Sequence, residues 1–147
     1  MIGIVVATHG KMSNGLLDAA KLIIGDNENM VALNLNLGDD VQKLSKQMLE
    51  AIDQLDHEDG VIIFTDLFGA SPYNQATIAT QSLDDDLKGK TFVITGVNLP
   101  MLLEAINQKM MGASIRDAVD AVLETARTSV VLWPDGNAEA AEDDDEF

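Results

Sequence analysis

Two side chains suited to phosphoryl chemistry stand at the ends of apolar runs far apart in this 147-residue chain. His9 closes the run that begins at Ile2, in Thr8-His9-Gly10, and Asp66 follows a second run, in Thr65-Asp66-Leu67-Phe68-Gly69-Ala70-Ser71-Pro72. A neutral imidazole is a nucleophile only through the nitrogen that lacks a proton. A carboxylate that accepts Nδ1–H fixes the tautomer and leaves the Nε2 lone pair outward. It also stabilises the positive charge that grows on the ring as Nε2 bonds to phosphorus. Gly10 keeps side-chain bulk away from the ring. Ser71 followed by Pro72 reads as the N-cap and N1 pair of a helix, whose free N–H groups suit a phosphate. Gly69 lets the backbone approach, and the Ser71 hydroxyl offers a donor. His9 and Asp66 are therefore the candidate catalytic pair, with Gly10, Gly69 and Ser71 as candidate phosphate-binding residues. Phosphoryl transfer asks mainly for positioning and charge stabilisation. One carboxylate is not a metal-binding cluster, so neither a metal nor a cofactor is expected.

Each residue also has a plain structural reading. A histidine near a strand end can be a rim residue, an Asp before Gly and Ser can cap a turn, and Ser-Pro is a common helix start. Their convergence on one crevice is what favours chemistry. His57, in Asp56-His57-Glu58-Asp59-Gly60, enters the sheet at the opposite edge and reads as a solvated surface residue. Met48, Met101, Met110 and Met111 fit helix faces, as core or interface.

That convergence depends on the elements. Short apolar runs rich in β-branched residues alternate with segments of helical period. Strands are expected over 2–8, 30–35, 60–65 and 91–97, with a last short one over 129–133. Helices are expected over 13–25, from Asp39 or Asp40 to about 55, over 71–82, 99–111 and 115–128. The first carries Leu16, Leu17, Ala20, Ile23 and Ile24 on one face, with Gly25 as C-cap. The second carries Val41, Leu44, Met48, Leu49, Ile52 and Leu55. Ser114 with Asp117 resembles a capping box. Unbroken apolar strands separated by helices imply a doubly wound α/β domain, its parallel sheet covered on both faces. Right-handed crossovers favour the strand order 2-1-3-4, which makes strands 1 and 3 neighbours and places the functional crevice beyond their carboxyl ends.

Composition narrows the function classes. A formal charge of −16 argues against a nucleic-acid partner and suits a basic protein. Six of the acids, and no base, fall in residues 137–147, so 1–134 reads as the folded domain and 135–147 as an acidic, disordered tail. The absence of cysteine excludes disulfides and thiolate metal sites. Only 4% of residues are aromatic, so aliphatic side chains must build the core. The opening run carries no charged leader and is too short to span a membrane, which points to the cytoplasm.

Several familiar sites are missing. Gly10-Lys11 invites a P-loop reading, but Val5 stands where its first glycine should be and Met12 where Ser or Thr should be. No dinucleotide fingerprint follows the first strand, and no Gly-x-Ser-x-Gly elbow occurs. A response-regulator receiver would phosphorylate Asp66, but it also needs an acidic pair after strand 1, where this chain has Thr8-His9.

Three separated segments carry a family resemblance: 4–10 (Ile-Val-Val-Ala-Thr-His-Gly), 65–74 (Thr-Asp-Leu-Phe-Gly-Ala-Ser-Pro-Tyr-Asn) and 95–102 (Thr-Gly-Val-Asn-Leu-Pro-Met-Leu). Together they resemble the mannose-family enzyme IIA domain of the bacterial sugar phosphotransferase system, across roughly 1–134. The resemblance implies a phosphohistidine on Nε2 of His9, Asp66 as its carboxylate partner and Ser71 facing the phosphoryl group. It implies phosphoryl arrival from the phosphocarrier HPr, departure to a IIB component, and uptake of the sugar by membrane components IIC and IID. It further implies a homodimer in which the last strand is exchanged, antiparallel to the partner's sheet. Gly69-Ala70 departs from the two glycines of many relatives, and where some members continue into a IIB domain this chain has its acidic tail. A cousin serving dihydroxyacetone kinase shares the fold and the histidine but lacks the Asp-Leu-Phe-Gly segment. Two other readings stay open: a regulatory module that reports phosphorylation state, and a small-ligand domain without chemistry. The sugar is not legible.

Overall fold

The computed structural model describes residues 1–134. The elements run β1 (Gly3–His9), α1 (Met12–Ile24), β2 (Met30–Leu35), α2 (Lys43–Gln54), β3 (Val61–Thr65), α3 (Ser71–Gln81), α4 (Asp85–Lys88), β4 (Thr91–Ile94), α5 (Leu99–Met110) and α6 (Ile115–Thr128). The strands form one parallel sheet in the expected order, β2-β1-β3-β4. Val5 of β1 pairs with Val31 on one side and Ile63 on the other, so β1 and β3 lie at the centre.

Strand alternation divides the core. Ile4, Val6, Ile62, Phe64 and Ile94 pack against α1, α5 and α6 through Ala20, Leu102, Ile106 and Val122. Val5, Ala7, Val61 and Ile63 face α2 and α3 through Leu44, Met48, Ile52, Ala76 and Ala79. β1 and β3 are thus buried on both faces, which is why their sequences are continuous apolar runs rather than alternating ones. Each such side chain contributes about 1.5–3 kcal/mol on burial.

Most helix ends follow from local chemistry. Ser114 caps α6: its Oγ accepts from the Asp117 N–H at 3.1 Å and donates to the Asp117 carboxylate at 2.7 Å. Asn98 caps α5 through the Met101 N–H. Gly25 ends α1 at φ +81°.

Five expectations need correction. α2 starts at Lys43, later than expected, because Asp39 and Asp40 cap turns instead, accepting from the backbone N–H groups of Asn36 and Gln42. Ile23 and Ile24 are largely exposed on the last turn of α1, whose burial is carried by Ala20 with Leu16 and Leu17 beside it. α4 was not foreseen: Asp84 caps this single turn through the Leu87 N–H, and Leu87 is buried below it. β4 stops at Ile94, after which the chain turns through Gly96 at φ +74°. Residues 129–133 form no strand within the single chain, and Val130, Val131, Leu132 and Trp133 are exposed. A strand needs a neighbouring backbone to bond, and within the single chain this segment pairs with none. The expected acidic tail, 135–147, lies outside the described residues.

Candidate functional site

β1 ends on His9 and β3 on Thr65, so the parallel register brings Asp66 beside His9. Asp66 Oδ2 accepts from the His9 backbone N–H at 3.0 Å and lies 2.8 Å from His9 Nδ1. An ionised carboxylate only accepts, so Nδ1 carries the proton and Nε2 keeps its lone pair. The side chain of His9 is 47% exposed and that of Asp66 15%, which leaves the ring reachable and shelters the carboxylate. Burial by itself would raise the Asp66 pKa. The hydrogen bonds from the His9 ring and backbone and from its own N–H outweigh it and hold the carboxyl below its ordinary value.

Gly10 follows at φ +56°, and a Cβ placed there would meet nothing within 4 Å, so the space beside the ring is open. Gly69 turns the β3–α3 connection at φ +74°. Ser71 is the first residue of α3, with Ala70 as N-cap, so the expected Ser-Pro pairing shifts by one position. The reason is the first helical bond, from the Asn74 N–H to the Ala70 carbonyl at 2.9 Å. Asn74 Nδ2 also donates to the Gly69 carbonyl at 3.0 Å and ties the turn down. No side chain caps α3, so the Ser71 hydroxyl is not spent on the helix end.

Sequence reasoning missed two features here. Thr8 Oγ1 accepts from the buried Ser13 N–H at 2.9 Å, Ser13 Oγ donates to Asn34 Oδ1, and Asn34 Nδ2 donates to Asn14 Oδ1 at 2.6 Å. This network ties the start of α1 to β2 beside His9. Leu67 and Phe68 are exposed next to Asp66, and the Phe68 ring lies 5.0 Å from that of Tyr73. Apolar residues between a strand end and a glycine turn are the signal that could have found them. His57 is half-buried rather than fully solvated and lies at the opposite edge, where its carbonyl accepts from the Gly60 N–H. Met48 and Met101 are core residues, whereas Met110 and Met111 are exposed.

Comparison with known proteins follows the same residues. Positions 3–123 match the family EIIA-man, described as the PTS (phosphotransferase system) fructose IIA component. This chain belongs to the EIIA-man family. Among its relatives, the PTS system mannose-specific EIIAB component of Escherichia coli (strain K12) is 31% identical over 129 residues, covering 88% of this chain. The chain spans only 38% of that relative's length. The PTS system fructose-specific EIIA component of Bacillus subtilis (strain 168) is 30% identical over 107 residues, 73% of this chain and 70% of the relative. The crystal structure of phosphotransferase system component EIIA from Streptococcus agalactiae superposes with a TM-score of 0.81 at 27% identity, covering 90% of this chain and 98% of that one. The four-stranded sheet is wholly parallel among the described residues. No helix among the described residues is long and apolar enough to cross a membrane.

Proposed function

We propose that this chain is the phosphocarrier of a sugar phosphotransferase system, accepting a phosphoryl group from phospho-HPr on Nε2 of His9 and passing it to a IIB component. The observation that carries this reading is the double contact of Asp66 Oδ2 with His9, at 2.8 Å to Nδ1 and 3.0 Å to the backbone N–H. It favours the tautomer whose lone pair is on the exposed nitrogen. In the step proposed, Nε2 bonds to phosphorus, the P–N bond of the donor phosphohistidine breaks, and its electron pair stays with the donor ring. The His9 Nδ1 proton remains on Asp66's side throughout, and the carboxylate offsets the ring's charge. Gly10 leaves the approach open, while Gly69 and Ser71 supply backbone and hydroxyl donors to the phosphoryl oxygens. Exposed Leu67 and Phe68 give a protein partner an apolar rim to dock on.

On this reading residues 1–134 are the IIA domain, with 135–147 an acidic tail, and the protein works in the cytoplasm. Membrane components IIC and IID act on the sugar after IIB. The exposed apolar segment 129–133 suits a strand that adds to a second copy's sheet, making a homodimer. The test is phosphorylation from radiolabelled phosphoenolpyruvate through enzyme I and HPr. Label is expected on the wild type, in an acid-labile form, and lost in His9→Ala; label retained by that variant overturns the reading.

A further inference from the structure

Among the described residues, the buried side-chain oxygens without a partner in the protein are Thr65 Oγ1, Asp66 Oδ1 and Thr95 Oγ1. The fully buried hydroxyl side chains elsewhere are satisfied. Thr8 Oγ1 accepts from the Ser13 N–H, Ser13 Oγ donates to Asn34, and Thr91 Oγ1 donates to the Leu87 carbonyl at 2.7 Å. Buried polar groups are rarely left unpaired, because leaving them so is costly. The three exceptions are not scattered: all lie at or just past the carboxyl ends of the neighbouring strands β3 and β4, and one of them belongs to the residue that holds His9.

Ile63 pairs with Val93 and Phe64 with Ile94, the last residue of β4, so Thr65 and Thr95 are the next residues of two neighbouring chain segments. The two segments hold together past that point, since the Val97 N–H donates to the Thr65 carbonyl at 3.0 Å. Ile63 and Val93 pack with the α2–α3 cluster, and Thr65, two residues along β3 from Ile63, lies on the same face. Asp66 follows Thr65 directly in the chain. One of its oxygens is committed to His9 on β1, and the other is buried at the end of the strand that adjoins β4.

We infer that Thr65 and Thr95 are positioning residues: through an internal water their hydroxyls hold the second oxygen of Asp66, and so fix the carboxylate against the His9 ring. A water can accept from both hydroxyls while donating to the carboxylate, which satisfies all three oxygens without a further side chain. A carboxylate held at one oxygen only can rotate about its bond to Cβ, and the alignment with Nδ1 loosens with it. The consequence for transfer rests on the phosphocarrier reading; the consequence for the ring tautomer does not.

The test compares Thr65→Val and Thr95→Val, which keep shape but lose the hydroxyl, with Thr65→Ser and Thr95→Ser. Two readouts are needed: ¹⁵N NMR of the His9 ring in unphosphorylated protein at a pH where it is neutral, and the initial rate of labelling by phospho-HPr. In the valine variants the population with Nδ1 protonated is expected to fall, and labelling to slow roughly three- to tenfold, the size of one net hydrogen bond. Both serine variants are expected to recover both properties. Unchanged tautomers in the valine variants, slow serine variants, or a crystal structure with no water among the three oxygens overturns the inference. Thr95→Val, at a half-buried residue, keeps the test available if Thr65→Val does not fold. Failure of phospho-HPr to label even the wild type counts against the phosphocarrier reading, and the NMR comparison still decides the role of the threonines.

Discussion

Asp66 Oδ2 holds His9 at two points, the backbone N–H at 3.0 Å and the ring Nδ1 at 2.8 Å. The first fixes where the residue sits and the second fixes which way its ring faces. Asp66→Asn keeps the shape but removes the charge, and its amide can present N–H₂ where an acceptor is needed. The rate of phosphoryl uptake is expected to fall by about 10²-fold or more, the scale of losing a well-placed proton partner. Stopped-flow or quench-flow labelling measures it. A variant within a factor of two of wild type would show that the carboxylate does no more than cap a turn.

The same contact makes an acid-side prediction. The folded-state pKa of Asp66 lies below its ordinary value, so the ionised form favours folding. That stability is fully present above the unfolded value of about 3.9 and is lost as pH falls through the folded one. Thermal melts of wild type and Asp66→Asn should therefore differ from pH 7 down to about 4 and converge only as pH falls through the lowered folded-state value. A gap that widens on acidification contradicts the assignment.

Glycines separate backbone strain from crowding. A Cβ at Gly60, φ +112°, would lie 2.5 Å from the Lys90 carbonyl oxygen and 3.0 Å from Ile115. Gly60→Ala is expected to destabilise by roughly 2–4 kcal/mol, strain and clash together. Gly10→Ala meets open space at φ +56°, and should cost only the left-handed penalty of about 1–2 kcal/mol. Denaturant titration of the two variants side by side gives the comparison.

Ser114 is placed to be the cap that matters most to α6, since both of its bonds go to Asp117. Ser114→Ala should lower stability by about 1 kcal/mol and leave labelling of His9 unchanged, because α6 packs on the face of the sheet reached by Ile4 and Phe64, away from α3.

A chain truncated after Thr128 removes the exposed apolar segment that follows α6. If that segment completes a second copy's sheet, analytical ultracentrifugation will find the full chain dimeric and the truncated one monomeric. Two dimers, or two monomers, would refute the exchange.

The apolar runs of the strands and the 3.6-residue stripe of α2 made the fold class legible, because burial on one or two faces writes itself directly into residue type, and the right-handed crossover rule then favoured the strand order. The pairing of His9 with Asp66 was legible for the same reason: once β1 and β3 are neighbours, their carboxyl ends must meet. Local patterns were less reliable where a polar side chain had two uses. Asp39 and Asp40 could cap a helix or a turn, and Ser71 could precede a helix or begin it. In each case the backbone bonds of the folded chain chose. The segment 129–133 reads as a strand by composition, but strandness is a property of a pair, and within the single chain no strand pairs with it. Residue types alone also say nothing about which hydroxyls go unpaired. The unsatisfied oxygens of Thr65 and Thr95 emerge only when the ends of neighbouring strands bury both hydroxyls away from any partner. Sequence thus determined which side chains would reach the crevice. Tertiary structure decided which oxygen faces the ring and which is left to be held from behind, since that depends on distances between strands that no single segment encodes.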